Sequence, residues 1–199
     1  MTKLAAILAV LAFLTIAQVA NADTLSCTAG TCSVSTTGLN DLEEGTAWTW
    51  KITTPANLLT GENIVSASLT FNNIKNVDYG VNTLNVYLLD TATHSGAYEV
   101  TTNEGNGDYF SGSPMFTKSS IPSTPTTVEF DFTTQDLGTL ATYIGNGDNF
   151  AFGIDPDCHF YDSNVTFQMK LSSVPEPGSI LLLGTLVIAI TAGLRRRLS

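Results

Sequence analysis

Apolar residues recur with a period of two through the middle of the chain. Trp48, Trp50 and Ile52 alternate with Thr49 and Lys51, and Val65, Ala67, Leu69 and Phe71 alternate with Ser66, Ser68 and Thr70. The same rhythm runs through Leu84, Val86 and Leu88, then Val128, Phe130 and Phe132, then Phe150, Phe152 and Ile154, and finally Val165, Phe167, Met169 and Leu171. Successive side chains of a strand point to opposite faces, so each segment predicts a strand with one apolar and one polar face. A single sheet cannot cover such a face by itself. Two sheets must therefore pack together.

The connections agree. Residues 105–114 (GNGDYFSGSP), 119–127 (SSIPSTPTT) and 145–148 (GNGD) are clusters of turn-forming residues. The echo between GNGDYF at 105–110 and GNGDNF at 145–150 reflects shared turn chemistry rather than a repeat. One segment breaks the alternation: Leu137, Leu140 and Ile144 fall at helical spacing, with Thr134 or Asp136 as the cap, and predict a short helix. The expected fold is all-β, an antiparallel β-sandwich of about eight strands, jelly-roll-like or immunoglobulin-like. A signal helix precedes it and a transmembrane helix follows it.

The N-terminus reads as an export signal. Lys3 is followed by the apolar run LAAILAVLAFLTIA, and Ala20-Asn21-Ala22 supplies a small-x-small cleavage site, Ala20 and Ala22 being its small residues. This divides the chain into a signal peptide at 1–22, an extracytoplasmic domain at 23–174 and a tail at 175–199. The middle portion holds 17 acidic residues against four lysines and no arginine, a net charge of −13. Such a surface repels polyanions, which argues against nucleic acid as a partner. Export permits disulfides. Cys27 and Cys32 enclose the short TAGT loop and form the first candidate pair; pairing of either with Cys158 is the rival.

Candidate chemistry is sparse. His94, in DTATHSG, reads as a loop histidine, and Cys158 beside His159 lacks the geometry of a nucleophile and its base. The chain has no GxSxG, P-loop or HExxH motif, so no enzymatic activity is expected. The stretch DPDCHFYD offers Asp155, Asp157 and Asp162 as candidate Ca²⁺ ligands, with the NGD turns at 106–108 and 146–148 as further oxygen donors; the competing reading is a turn closed around Pro156. The pairs Glu43/Glu44 and Asp155/Asp157 are the carboxylates a polysaccharide hydrolase would need. The 25 threonines of residues 23–174 suit strands, and with exposed aromatics such as Tyr87 they suggest a carbohydrate-docking face, or ice if the array were regular, which it is not.

The tail has three parts in order: Pro175, Glu176 and Pro177; an apolar run holding Ile180, Leu181, Leu182, Leu183, Leu186, Val187, Ile188, Ile190 and Leu194; and Arg195, Arg196 and Arg197. The run spans about 23 Å as a helix, short for the roughly 30 Å hydrocarbon core. The arginines would stay cytoplasmic, leaving the domain outside. These residues resemble the PEP-CTERM sorting signal of Gram-negative bacteria. The resemblance implies recognition of Pro175–Pro177 by an exosortase, transient anchoring in the inner membrane through residues 180–194, and stop-transfer by Arg195–Arg197. Processing near the prolines would release the domain toward the cell surface or an exopolysaccharide matrix. The same module ends some ice-binding proteins, which does not make its bearers ice binders. GIDPDCHFYDSNVTFQMKL is similar to the last two strands of many exported β-sandwich domains that carry this tail. The expected role is structural or adhesive. The alternatives are a carbohydrate- or Ca²⁺-binding module and an Asp/Glu-dependent polysaccharide hydrolase.

Overall fold

The structure is a computed structural model, and it describes residues 23–174 other than 79, 81 and 102–108. The signal-peptide residues, the transmembrane run, the sorting prolines and the arginine cluster lie outside the described residues. In chain order the strands are β1 (Asp23–Thr24), β2 (Ser26–Thr28), β3 (Thr31–Thr36), β4 (Asp41–Leu42), β5 (Thr46–Thr53), β6 (Glu62–Asn76), β7 (Thr83–Leu89), β8 (Gly96–Thr101), β9 (Phe116–Ser119) and β10 (Thr126–Asp131). After the helix α1 (Thr134–Gly147) come β11 (Asn149–Pro156), β12 (Phe160–Tyr161) and β13 (Asn164–Ser173).

They form two sheets. The first runs β1-β5-β11-β7-β9, with β8 also on β5; the second runs β2-β3-β13-β6-β12-β4, with β10 also on β6. Every pairing is antiparallel except β1 with β5. The facing sides supply a core built on aromatic rings. Trp50, Phe150 and Phe152 of the first sheet and Phe71, Phe160 and Phe167 of the second are fully buried. Phe167 meets Phe150 and Phe152 at centroid distances of 5.1 and 5.5 Å, and Phe132 closes the group against Phe152 and Phe167. The N-terminal edge is tied to this core, because the buried Trp50 indole donates to Asp23 Oδ2 at 2.6 Å.

The six alternating segments are all strands or strand ends, but Val65 is a correction. It is 53 % exposed. Lys170 pairs with Ser66 and Leu171 with Ile64, so Val65 is the extra residue of a β-bulge, and beyond it Ile64 takes the inward position. The helix begins at Thr134, so its cap lies one residue before the earlier of the two expected caps. Its cap is Thr133, whose hydroxyl accepts from the Asp136 N–H while the Asp136 carboxylate accepts from the Thr133 N–H, a capping box. Leu140 and Ile144 are buried as α1 packs on β11 and β6. Among the described residues the strands outnumber the expected eight or so, chiefly because β1, β2, β4 and β12 are two or three residues long, too short to show a period.

Phe152→Ala removes a ring from the junction of the two sheets and should cost about 3–5 kcal/mol in urea denaturation. Val65→Ala, on the bulge, should stay within about 0.5 kcal/mol of the parent.

Candidate functional site

The outer face of the first sheet is where the domain departs from a simple sandwich. Gly153 sits at the centre of β11, between Thr49 of β5 and Tyr87 of β7. A Cβ there would lie 2.8 Å from Phe110 Cζ, so only glycine lets the Phe110 ring rest on the sheet. Phe110 covers Ala47 and Tyr87 and is itself 8 % exposed, forming a second, smaller apolar cluster. Tyr87, expected as an exposed aromatic, is therefore 3 % exposed. The adjoining Tyr109 backbone N–H donates to Asp155 Oδ2 at 2.9 Å.

That bond engages one member of the expected Ca²⁺ set. Asp155 is buried, with its carboxylate engaged by the Tyr109 amide. Asp157 is exposed and closes the turn through its own N–H, which donates to the Thr83 carbonyl. Asp162 follows β12, its N–H bonded to the Asn40 carbonyl. The three carboxylates are not gathered. The NGD turn at 146–148 is engaged elsewhere: Asn146 donates to Asp90, and Asp148 Oδ1 accepts from the Asn57 N–H. The other NGD turn lies outside the described residues.

What the fold does gather is Asp41, Glu43 and His159, whose potential ligand atoms lie within 4.8 Å of one another. Pairing of β4 with β12 sets Asp41 across from Tyr161 and brings His159 Nε2 to 2.7 Å from Asp41 Oδ1. One imidazole and two carboxylates form a donor set suited to Zn²⁺ or Mn²⁺ rather than the all-oxygen shell of Ca²⁺. The His159–Asp41 contact is also complete as an ion pair or hydrogen bond without any metal. No local sequence spacing reveals this grouping, since His159 lies 118 positions from Asp41.

Cys27 and Cys32 form a disulfide across the β2–β3 hairpin, where they are directly opposed. Cys158 lies outside it. Burial, then the nearby Glu44, Asp78 and Asp157 carboxylates, push its thiol above the usual range, which disfavours the thiolate a nucleophile requires.

A cleft of about 500 Å³ opens on the first sheet, lined by Thr49, Thr91, Thr93, Tyr98, Glu99 and Tyr109 among others. His94 stacks on Tyr98 with centroids 3.6 Å apart. Tyr98 and Tyr109 are 42 % and 44 % exposed. The detectable hint was Tyr109-Phe110, an aromatic pair inside an otherwise polar turn.

At the far end of the domain, β13 pairs with β6 as far as Ser173 opposite Glu62, and the Val174 N–H donates to the Gly61 carbonyl. The described chain thus remains hydrogen-bonded to the sandwich up to the residue before Pro175. The family model of the PEP-CTERM protein-sorting motif matches residues 173–197. The chain carries a PEP-CTERM sorting signal. The signal marks a secreted exosortase substrate processed at the membrane. No curated protein and no solved structure matches the chain. The sorting signal therefore begins where the sandwich ends, its match overlapping the last residue of β13.

Asp162 carries a pH dependence. Neither of its buried oxygens has a hydrogen-bond partner among the described residues, and burial raises its pKa from 3.8 to about 7. The folded chain holds this proton where the unfolded chain releases it, so the contribution to stability is full below about pH 4 and declines until about pH 7. Asp162→Asn removes that slope. Urea denaturation from pH 4 to pH 8 should show the variant gaining on the parent by about 2 kcal/mol, after discounting for residual exposure.

Proposed function

We propose that the chain is a structural or adhesive component of the cell surface or of an exopolysaccharide matrix, delivered there by exosortase processing at Pro175–Pro177. The observation that carries this is the sorting signal placed directly against the last strand. In this reading the domain acts by binding and packing rather than by catalysis.

Two features support the reading. First, only residues 175–179 separate the last described residue from the apolar run at Ile180. Fully extended, five residues reach about 17 Å, so an anchored precursor holds its domain close to the bilayer surface. Second, that domain has a net charge of −13, which anionic headgroups repel. Retention at the membrane then rests on the apolar tail alone, and removal of the tail frees the domain into the surrounding matrix.

Intact mass spectrometry of the protein from its native host tests this. The expected mature chain begins near Asp23 and ends near Pro175. Alanine at Pro175, Glu176 and Pro177 together should leave the full tail in place and the protein in the membrane fraction. An unprocessed tail on the parent chain, in a host with active exosortase, overturns the reading.

A further inference from the structure

The cleft on the first sheet has walls that are held in place by devices with no part in the main core. Tyr98 is backed by the stacked His94 ring, 16° from parallel. Tyr109 packs edge-on against Phe110 at 4.9 Å, Phe110 rests on Gly153, and the buried Asp155 carboxylate takes the Tyr109 N–H. A carboxylate and a side-chain-free position in the central strand β11 thus both serve to hold one exposed tyrosine at the cleft. Ordering exposed aromatic rings before a ligand arrives lowers the entropic cost of binding.

The lining also selects. Its threonine hydroxyls and the two tyrosines offer hydrogen bonds beside flat ring faces. Among the described residues Glu99 is its carboxylate, and no lysine or arginine lines it. Together with the −13 net charge this disfavours phosphates, nucleotides and uronates. The lining is too polar for an acyl chain. The volume falls in the usual small-ligand range of about 300–1,000 Å³. A ligand with many hydroxyls, apolar C–H faces and no negative charge meets these conditions.

We infer that the cleft between Tyr98 and Tyr109 binds a neutral polysaccharide, with the two rings stacking on sugar faces and Thr49, Thr91, Thr93 and Glu99 bonding to hydroxyls. This rests on the adhesive role proposed above and gives it a partner.

The test uses the mature protein in native gels cast with soluble neutral polysaccharides (mixed-linkage β-glucan, galactomannan and xyloglucan) or with the polyanion alginate. At least one neutral polysaccharide should retard the protein, and alginate should not. Tyr98→Ala and Tyr109→Ala should each weaken retardation about five- to tenfold. Tyr161→Ala, an exposed aromatic outside the cleft, should leave it unchanged. Gly153→Ala should weaken it with both tyrosines present, provided circular dichroism shows the sandwich intact. Failure of every neutral polysaccharide to retard the parent overturns the proposal while the mass of the mature chain still reports on sorting. Equal retardation of the double tyrosine variant, or retardation by alginate, likewise overturns it.

Discussion

The contact between Phe110 and Gly153 sets the character of the domain's outer surface. Gly153 lies on the strand shared by β5 and β7, the most central position the first sheet offers. Its missing side chain admits an aromatic ring to a face that would otherwise be solvated. That ring buries Ala47 and Tyr87, and the neighbouring Tyr109 amide gives the buried Asp155 carboxyl a hydrogen bond. From this follow a sheet that is apolar on both sides at β11, and a cleft whose wall is fixed rather than left to a mobile side chain.

The period-two pattern was legible wherever one face met the core and the other met water. It failed where that condition failed. Phe150, Phe152 and Ile154 are buried as the alternation requires, yet Gly153 between them and Asp155 after them are buried too, where the Phe110 ring rests on Gly153 and the Tyr109 amide meets Asp155. Val65 was misplaced by one bulge, which exchanges the two faces of β6 beyond it. β3 passed unnoticed because its residues are mostly Thr and Ser, and only its pairing with β13 makes it a strand.

The candidate sites divide in the same way. The sorting signal lies in one contiguous stretch and needs no fold to be recognised, so the sequence alone sufficed. The acidic run DPDCHFYD suggested a metal site because its carboxylates are close in sequence. Folding gives them different surroundings: the Asp155 carboxylate takes the Tyr109 amide, Asp157 closes a turn, and the buried Asp162 carboxylate has no hydrogen-bond partner among the described residues. His159 from the same run instead meets Asp41, through a pairing of two-residue strands that no local signal announces. Two stretches thus differ in kind, the tail carrying the sorting signal and the outer sheet face carrying the cleft.

The central structural claim is that the Phe110 ring on Gly153 and the Asp155 carboxylate together fix Tyr109 to the sheet. Amide hydrogen exchange at Tyr109 reads this directly in the mature protein. The account predicts slow exchange in the parent, and exchange accelerated by at least tenfold in Gly153→Ala while the β11 amides bonded to β5 and β7 stay protected. A Tyr109 amide that exchanges as fast as an unstructured chain in the parent, or equally slowly in both proteins, contradicts it.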